Sequence, residues 1–272
     1  MDNMNTLDFW DDEEIQFLNH FFEDAHQAIL DKLGMTEEEY QKQCAPYLEE
    51  ASAFSEIIKA KKGKKQELQN SLVANAVREE KSKGGECIHR GYYCPSLIED
   101  IIIENCKRGK LCKENDPKAT YTHYFDRDNR HIATRQQEGN IVYTEYISCG
   151  ENKSLGIMFD GAEELASIAE CEYDERGRIL KYIFVLCNPT DDEVMEYNKE
   201  LYAYSEETII VETAKLLCGD FTTMLNTNKY RFNMEAGYLK NYTIEIYNNK
   251  DISCEPLNDR SFNVKIKRKI PM

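Results

Sequence analysis

The chain is expected to fold as an α+β protein, with helices in residues 1–117 and a hairpin-rich antiparallel β-sheet in residues 118–272. Three observations predict this. Apolar residues recur at helical spacing through the first third of the chain, and from Thr120 the period falls to two. The chain also carries 17 Tyr and 11 Phe, side chains that suit half-buried pleated surfaces. The boundary falls at Asp116-Pro117. A helix opening at Ser96 is expected to pack on the sheet, which would join the two parts into one integrated domain.

The helices follow from spacing and caps. Ile15, Leu18, Phe21, Phe22, Ala25, Ile29, Leu30 and Leu33 recur three and four residues apart, and Gly34 stops the run. A second helix opens at Thr36, whose hydroxyl can cap while Glu39 reaches back. It is expected to end near Pro46, with further helices over 46–60 and 66–80 on either side of the basic run Lys59 to Lys65. Lys81-Ser82-Lys83-Gly84-Gly85 reads as a linker. Ser96 and Glu99 form another capping box, and Ile98, Ile101, Ile102 and Cys106 line one face of a short helix ending at Arg108-Gly109.

The strands follow from alternation. Ile141 to Tyr146, Arg178 to Cys187, Thr208 to Lys215 and Tyr242 to Tyr247 read as strands, and Phe262 to Ile270 as a last one with lysines on one side. Gly161 to Ser167 and Asp191 to Tyr204 read as helical interruptions.

Charge narrows the function classes. The chain carries a net charge of −16, of which −12 lies in residues 1–60 and −7 in Asp191 to Glu212, offset elsewhere. Such fields repel phosphate backbones and anionic membrane surfaces, so neither nucleic acid nor membrane is the expected partner, and a basic protein is. No basic-then-apolar start reads as a signal peptide, and no apolar run is long enough to span a bilayer. The expected compartment is therefore the cytoplasm, with the ten cysteines reduced. Nothing in the sequence indicates the oligomeric state.

Glu172-Tyr173-Asp174-Glu175-Arg176-Gly177-Arg178-Ile179 resembles the YD repeat of bacterial RHS-type proteins: an aromatic, an acid, a short turn closing on Gly, then a basic and an aliphatic residue. In such a turn Asp174 accepts amide hydrogens and Gly177 adopts positive φ. Tyr124 to Ile132 repeats the pattern with Asn129 in the glycine position, and Phe232 to Leu239 is a looser copy. YD-repeat proteins build large shells around toxin modules, and this chain is too short and too helical at its start to be one. Its general character is similar to that of bacterial immunity-type proteins, which neutralise toxins. That likeness implies an inhibitor of a toxin as one form of the expected interaction role.

The candidate sites are two. An acidic surface for a basic partner would comprise Asp11, Asp12, Glu13, Glu14, Glu37, Glu38 and Glu39. The alternative is a metal-binding protein or small hydrolase whose site assembles from Cys87, His89 and Cys94, with Cys112 as a further ligand. These residues lack the close Cys pairs of structural zinc sites, so no metal or other cofactor is expected. His20 and His26 lie six apart, at nearly opposite positions around a helix, which is poor metal geometry. A cysteine nucleophile served by His89, His123 or His131 has no sequence signature, and His123 and His131 read as cross-strand packing around a hairpin turn.

Overall fold

One antiparallel sheet of 13 strands organises the molecule. The structure is a computed structural model that describes residues 24–263 apart from 25, 29, 32, 85–89, 104–108, 114–115, 189–191, 219–222 and 248–259. Strands β3 (Tyr121–Phe125), β4 (His131–Glu138), β5 (Ile141–Cys149), β6 (Lys153–Phe159), β7 (Leu165–Tyr173), β8 (Ile179–Cys187), β9 (Val194–Tyr204), β10 (Thr208–Cys218), β11 (Thr223–Glu235), β12 (Tyr238–Tyr247) and β13 (Arg260–Asn263) follow one another across the sheet in chain order. On the other side of β3 lie β1 (Arg78–Lys83) and then β2 (Lys110–Leu111).

The expected α+β division does not hold. The fold is sheet-dominated, and its helices form a cover on the sheet. Residue 117 lies between β2 and β3 of this continuous sheet, because 78–83, read as helix end and linker, is a strand. Gly161 to Ser167 is a hairpin turn leading into β7, and 194–204 is β9. Both segments look helical because they are rich in charged and small residues. What decides them is pairing. Tyr197, Lys199 and Leu201 point to one face of β9, and Asn198, Glu200 and Tyr202 to the other, each opposite a residue of β8 or β10. Tertiary pairing outweighs local propensity here.

Helix α1 (Glu37–Lys61) covers one face. Thr36 caps it with the reciprocal bonds its spacing predicts: the Glu39 amide donates to Thr36 Oγ1, and the Thr36 amide donates to the Glu39 carboxylate at 2.8 Å. Pro46 does not end this helix but lies inside it. Tyr40, Cys44, Ala51, Phe54 and Ile58 form its buried stripe. They pack into a core with Ile157, Phe159, Ile168, Val185, Tyr197 and Leu216 of the sheet. Tyr40 also accepts the Leu225 amide hydrogen at 2.8 Å, tying helix to strand. A shorter helix, α2 (Lys65–Leu72), follows. The basic run between the helices is spent on the sheet's turns, with Lys62 on Asp192 and Lys65 on the Asp160 carbonyl and Glu163.

A strap covers the other face. It comprises a single 3₁₀ turn (Gly91–Tyr93), Cys94–Leu97, and a π-helical turn (Ile98–Ile103). Ser96 caps that turn by accepting the Glu99 amide at 2.9 Å. Ile101 is buried among Tyr182, Tyr202, Ile209, Val211, Tyr230 and Phe232, a second core on the opposite side of the sheet from α1.

The hairpin turns share one device. Asp174 Oδ1 accepts the amides of Arg176 and Arg178, each at 2.9 Å, and its Oδ2 accepts from Arg178 Nε, while Gly177 sits at φ 76°. Asp126 does the same for Asp128 and Arg130, with Asn129 at φ 60°. Asp160 repeats it for Ala162 and Glu164, with Glu163 at φ 70°. The Phe232 to Leu239 copy is different: it closes as a two-residue turn, with Ala236 and Gly237 both at positive φ. This turn geometry is local and assigns no family. At Gly177 a Cβ would meet nothing within 4 Å, so Gly177→Val carries only the backbone cost of positive φ. It is expected to destabilise by about 1 kcal/mol or more. An unchanged melting temperature in thermal denaturation would contradict the assigned turn.

Candidate functional site

A groove of about 1540 Å³ opens where the strap meets the β3–β4, β5–β6 and β7–β8 turns. Tyr92, Tyr93, Tyr173 and Tyr204 give it ring faces, and Asn129 and Asn152 give it amides. Two of the arginines lining it are already matched. Arg130 pairs with Asp126 and Asp128, Arg178 with Asp174, and the Arg178 guanidinium lies 4.6 Å from the centre of the Tyr204 ring.

Beneath the groove lies a buried ion pair. Arg90, itself at φ 62°, donates from Nε to both oxygens of Glu145 (2.9 and 3.0 Å) and from Nη2 to Oε1 (2.8 Å). The two side chains are 4% and 0% exposed, so neither can find water instead. Burial alone would push the guanidinium pKa down, but the Glu145 carboxylate outweighs it and holds that value well above the ordinary one. Gly156 of β6 makes the room: a Cβ there would fall 1.7 Å from Glu145 Oε1. Arg90, Glu145 and Gly156 were not singled out from the sequence. An isolated glycine inside a strand pattern is the signal that could have found them, since it marks close approach by another group.

Next to the pair is a chain of neutral polar groups. Ser82 Oγ lies 2.9 Å from His123 Nε2, His123 Nδ1 lies 3.1 Å from Thr134 Oγ1, and Thr134 Oγ1 lies 2.8 Å from His131 Nε2. The two imidazoles meet edge to face at 5.6 Å, the cross-strand packing their spacing predicts. Burial pushes His123 down to about 4, and burial with Arg90 beside it pushes His131 down to about 3. Cys149 touches His131 through the backbone carbonyl at 3.6 Å, which is not the contact of a thiol with its base.

A second buried carboxyl has no such counter-ion. Glu200 of β9 accepts from Ser96 Oγ at 2.6 Å and from the Tyr202 hydroxyl. Burial raises it to about 7.

The residues proposed as sites from sequence are placed as follows. Asp11, Asp12, Glu13 and Glu14 lie outside the described residues, as do Cys87 and His89. Glu37, Glu38 and Glu39 are exposed together on the first turn of α1. Glu37 accepts from Gln41 and lies 2.6 Å from His26, and those two bonds, Gln41's the larger, hold its carboxyl below the usual value. Glu39 is committed to the Thr36 cap. Cys94 is buried against the Ser96 carbonyl, its thiol pushed well above the ordinary value by burial. Cys112 contacts the Lys110 carbonyl at 3.7 Å. Among the described residues no three His, Cys, Asp or Glu side chains converge to hold a metal. No described helix is long and apolar enough to cross a membrane.

No protein-family model matches this sequence, and neither a curated protein nor a solved structure shows significant similarity to it.

Proposed function

We propose that this chain is a non-catalytic protein-interaction module whose acidic helical layer binds a basic protein. The observation that supports this reading is the uneven matching of acids by cations. On the sheet several are paired: Glu172 with Lys153 and Lys181, Glu196 with Lys215, Glu212 with Lys229, and Glu50 of α1 with Lys199 of β9. Within the −7 stretch, Asp192, Glu196 and Glu212 each meet a lysine from outside it. The first turn of α1 is different. Glu37, Glu38 and Glu39 make no ion pair with a described Lys or Arg, and the sequence upstream adds Asp11, Asp12, Glu13 and Glu14. A field left open to solvent in this way steers cationic partners and is screened by salt. An immunity-type inhibitor of a basic toxin is one form such a module takes.

The test is a pull-down from cell lysate at about 50 mM and about 500 mM NaCl, which bracket strong and weak screening. It uses the parent chain and a variant carrying Asp11→Asn, Asp12→Asn, Glu13→Gln, Glu14→Gln, Glu37→Gln and Glu38→Gln. Glu39 is spared because it caps α1. A basic protein retained at low salt, released at high salt and lost by the variant, with the melting temperature unchanged, is the expected result. An acidic partner, or one indifferent to salt and to the substitutions, would overturn the reading.

A further inference from the structure

Glu200 and the strap form a unit that the interaction role does not use. The carboxyl lies on the strap side of the sheet and is 5% exposed. Two hydroxyls donate to it, and the same two hydroxyls hold the backbone of the strap. Tyr202 accepts the Leu97 amide hydrogen at 3.1 Å, and Ser96 accepts that of Glu99 at 2.9 Å. The carboxyl is thus the common end of both hydrogen-bond chains that fasten the start of the π-helical turn.

Among the described residues, the groups that face Glu200 come from β8, β9, β10, β11 and the strap. Tyr182 stands opposite it on β8 and Thr213 on β10. Tyr202 shares its strand, Tyr230 approaches from β11, and Cys94 and Glu99 come from the strap. Asp100 is buried nearby on the same turn. None of these groups is a cation, in contrast to the Arg90 that neutralises Glu145. Burial without a described counter-ion disfavours the carboxylate and outweighs the Ser96 and Tyr202 hydrogen bonds, which favour it, while the Glu99 charge acts with burial.

We propose that Glu200 makes residues 94–103 of the strap a pH-sensitive cover over the aromatic face of β9–β11, closed when the carboxyl is protonated and loosened when it ionises. Opening would uncover Tyr202, Tyr230 and Phe232, against which Ile101 now packs. The sign follows from linkage. In the closed state the carboxyl titrates near 7, and once in water it returns to the ordinary glutamate value of about 4.5. Opening therefore releases a proton between those two values. The closed state is fully held below the lower one, loses ground as pH rises, and reaches a plateau above about 7.

Amide hydrogen exchange of Leu97 to Ile103, corrected for the intrinsic rate, reads this directly. Between about pH 5.5 and 7 the opening equilibrium is expected to rise by up to about tenfold per pH unit, then level off. Glu200→Gln keeps the hydrogen-bonding shape without the charge and should abolish that slope. Ser96→Ala should raise opening at every pH while leaving the slope in place. Protection that does not change with pH, or an unaltered slope in Glu200→Gln, would overturn the proposal. Should the glutamine variant not fold, a ¹³C carboxyl titration of Glu200 in the parent chain decides: a midpoint below about 5 rejects a proton-held strap.

Discussion

Arg90→Ala is expected to lower the stability of the protein by about 3–5 kcal/mol, because it removes the bidentate partner of a fully buried carboxylate. The pair is fully desolvated, and three hydrogen bonds within 3.0 Å hold it. Removing one partner leaves the other's charge in a site shut off from water. Glu145→Ala should cost a similar amount by stranding the guanidinium. The double variant Arg90→Met, Glu145→Leu replaces the pair by apolar volume and is expected to recover most of the loss. Gly156→Ala tests the same geometry from beneath. Its methyl would lie 1.7 Å from Glu145 Oε1 and 2.6 Å from Arg90 Nη2, so the pair must break or β6 must shift, at a cost of about 3 kcal/mol or more. Denaturant unfolding measures all four variants. A single-variant loss below about 1 kcal/mol would mean that the pair is solvated.

Local signals in the sequence proved more legible than the division into parts. The Thr36 cap, the Ser96 cap and the Asp174 and Asp126 turns all rest on contacts within four residues, and short-range chemistry reveals those. The α+β division failed where the outcome depended on distant partners. Residues 78–83 read as a helix end and linker because they are almost all charged, yet they pair with β3 across a long separation. In 194–204 the acids suggested a helix, but Lys215 and Tyr202 give Glu196 and Glu200 cross-strand and same-face partners. The candidate site shows the same limit. Arg90 and Glu145 are 55 residues apart, and Ser96 and Glu200 are 104 apart, so nothing in their neighbourhoods marks them. The cysteines and histidines drew attention because their chemistry is distinctive, and of those described most serve as packing groups.

Acid should unfold this protein through the buried His123 and the half-buried His131, with the loss beginning above the range where carboxylates titrate. In the unfolded chain a histidine titrates near 6.5, whereas in the fold His123 is held down to about 4 and His131 to about 3. Both values are depressed, so between them and about 6.5 the unfolded chain binds protons that the folded one refuses. The stabilisation is therefore fully present above about pH 6.5 and is lost as pH falls toward 4 and then 3. At about 1.4 kcal/mol for each unit of difference, the two sites together set an upper bound of about 8 kcal/mol. Glu200 works against this trend, since its raised value favours the fold as pH falls from 7. The net profile is the difference of the two, and Glu200→Gln should make the acid loss steeper. Proton NMR of the imidazole ring carbons checks the cause: neither histidine should titrate above about pH 5 while the protein is folded. A midpoint near 6.5 for His131 would mean that water reaches the Thr134 to His131 bond through the groove, and the acid loss would then have to be traced to carboxylates.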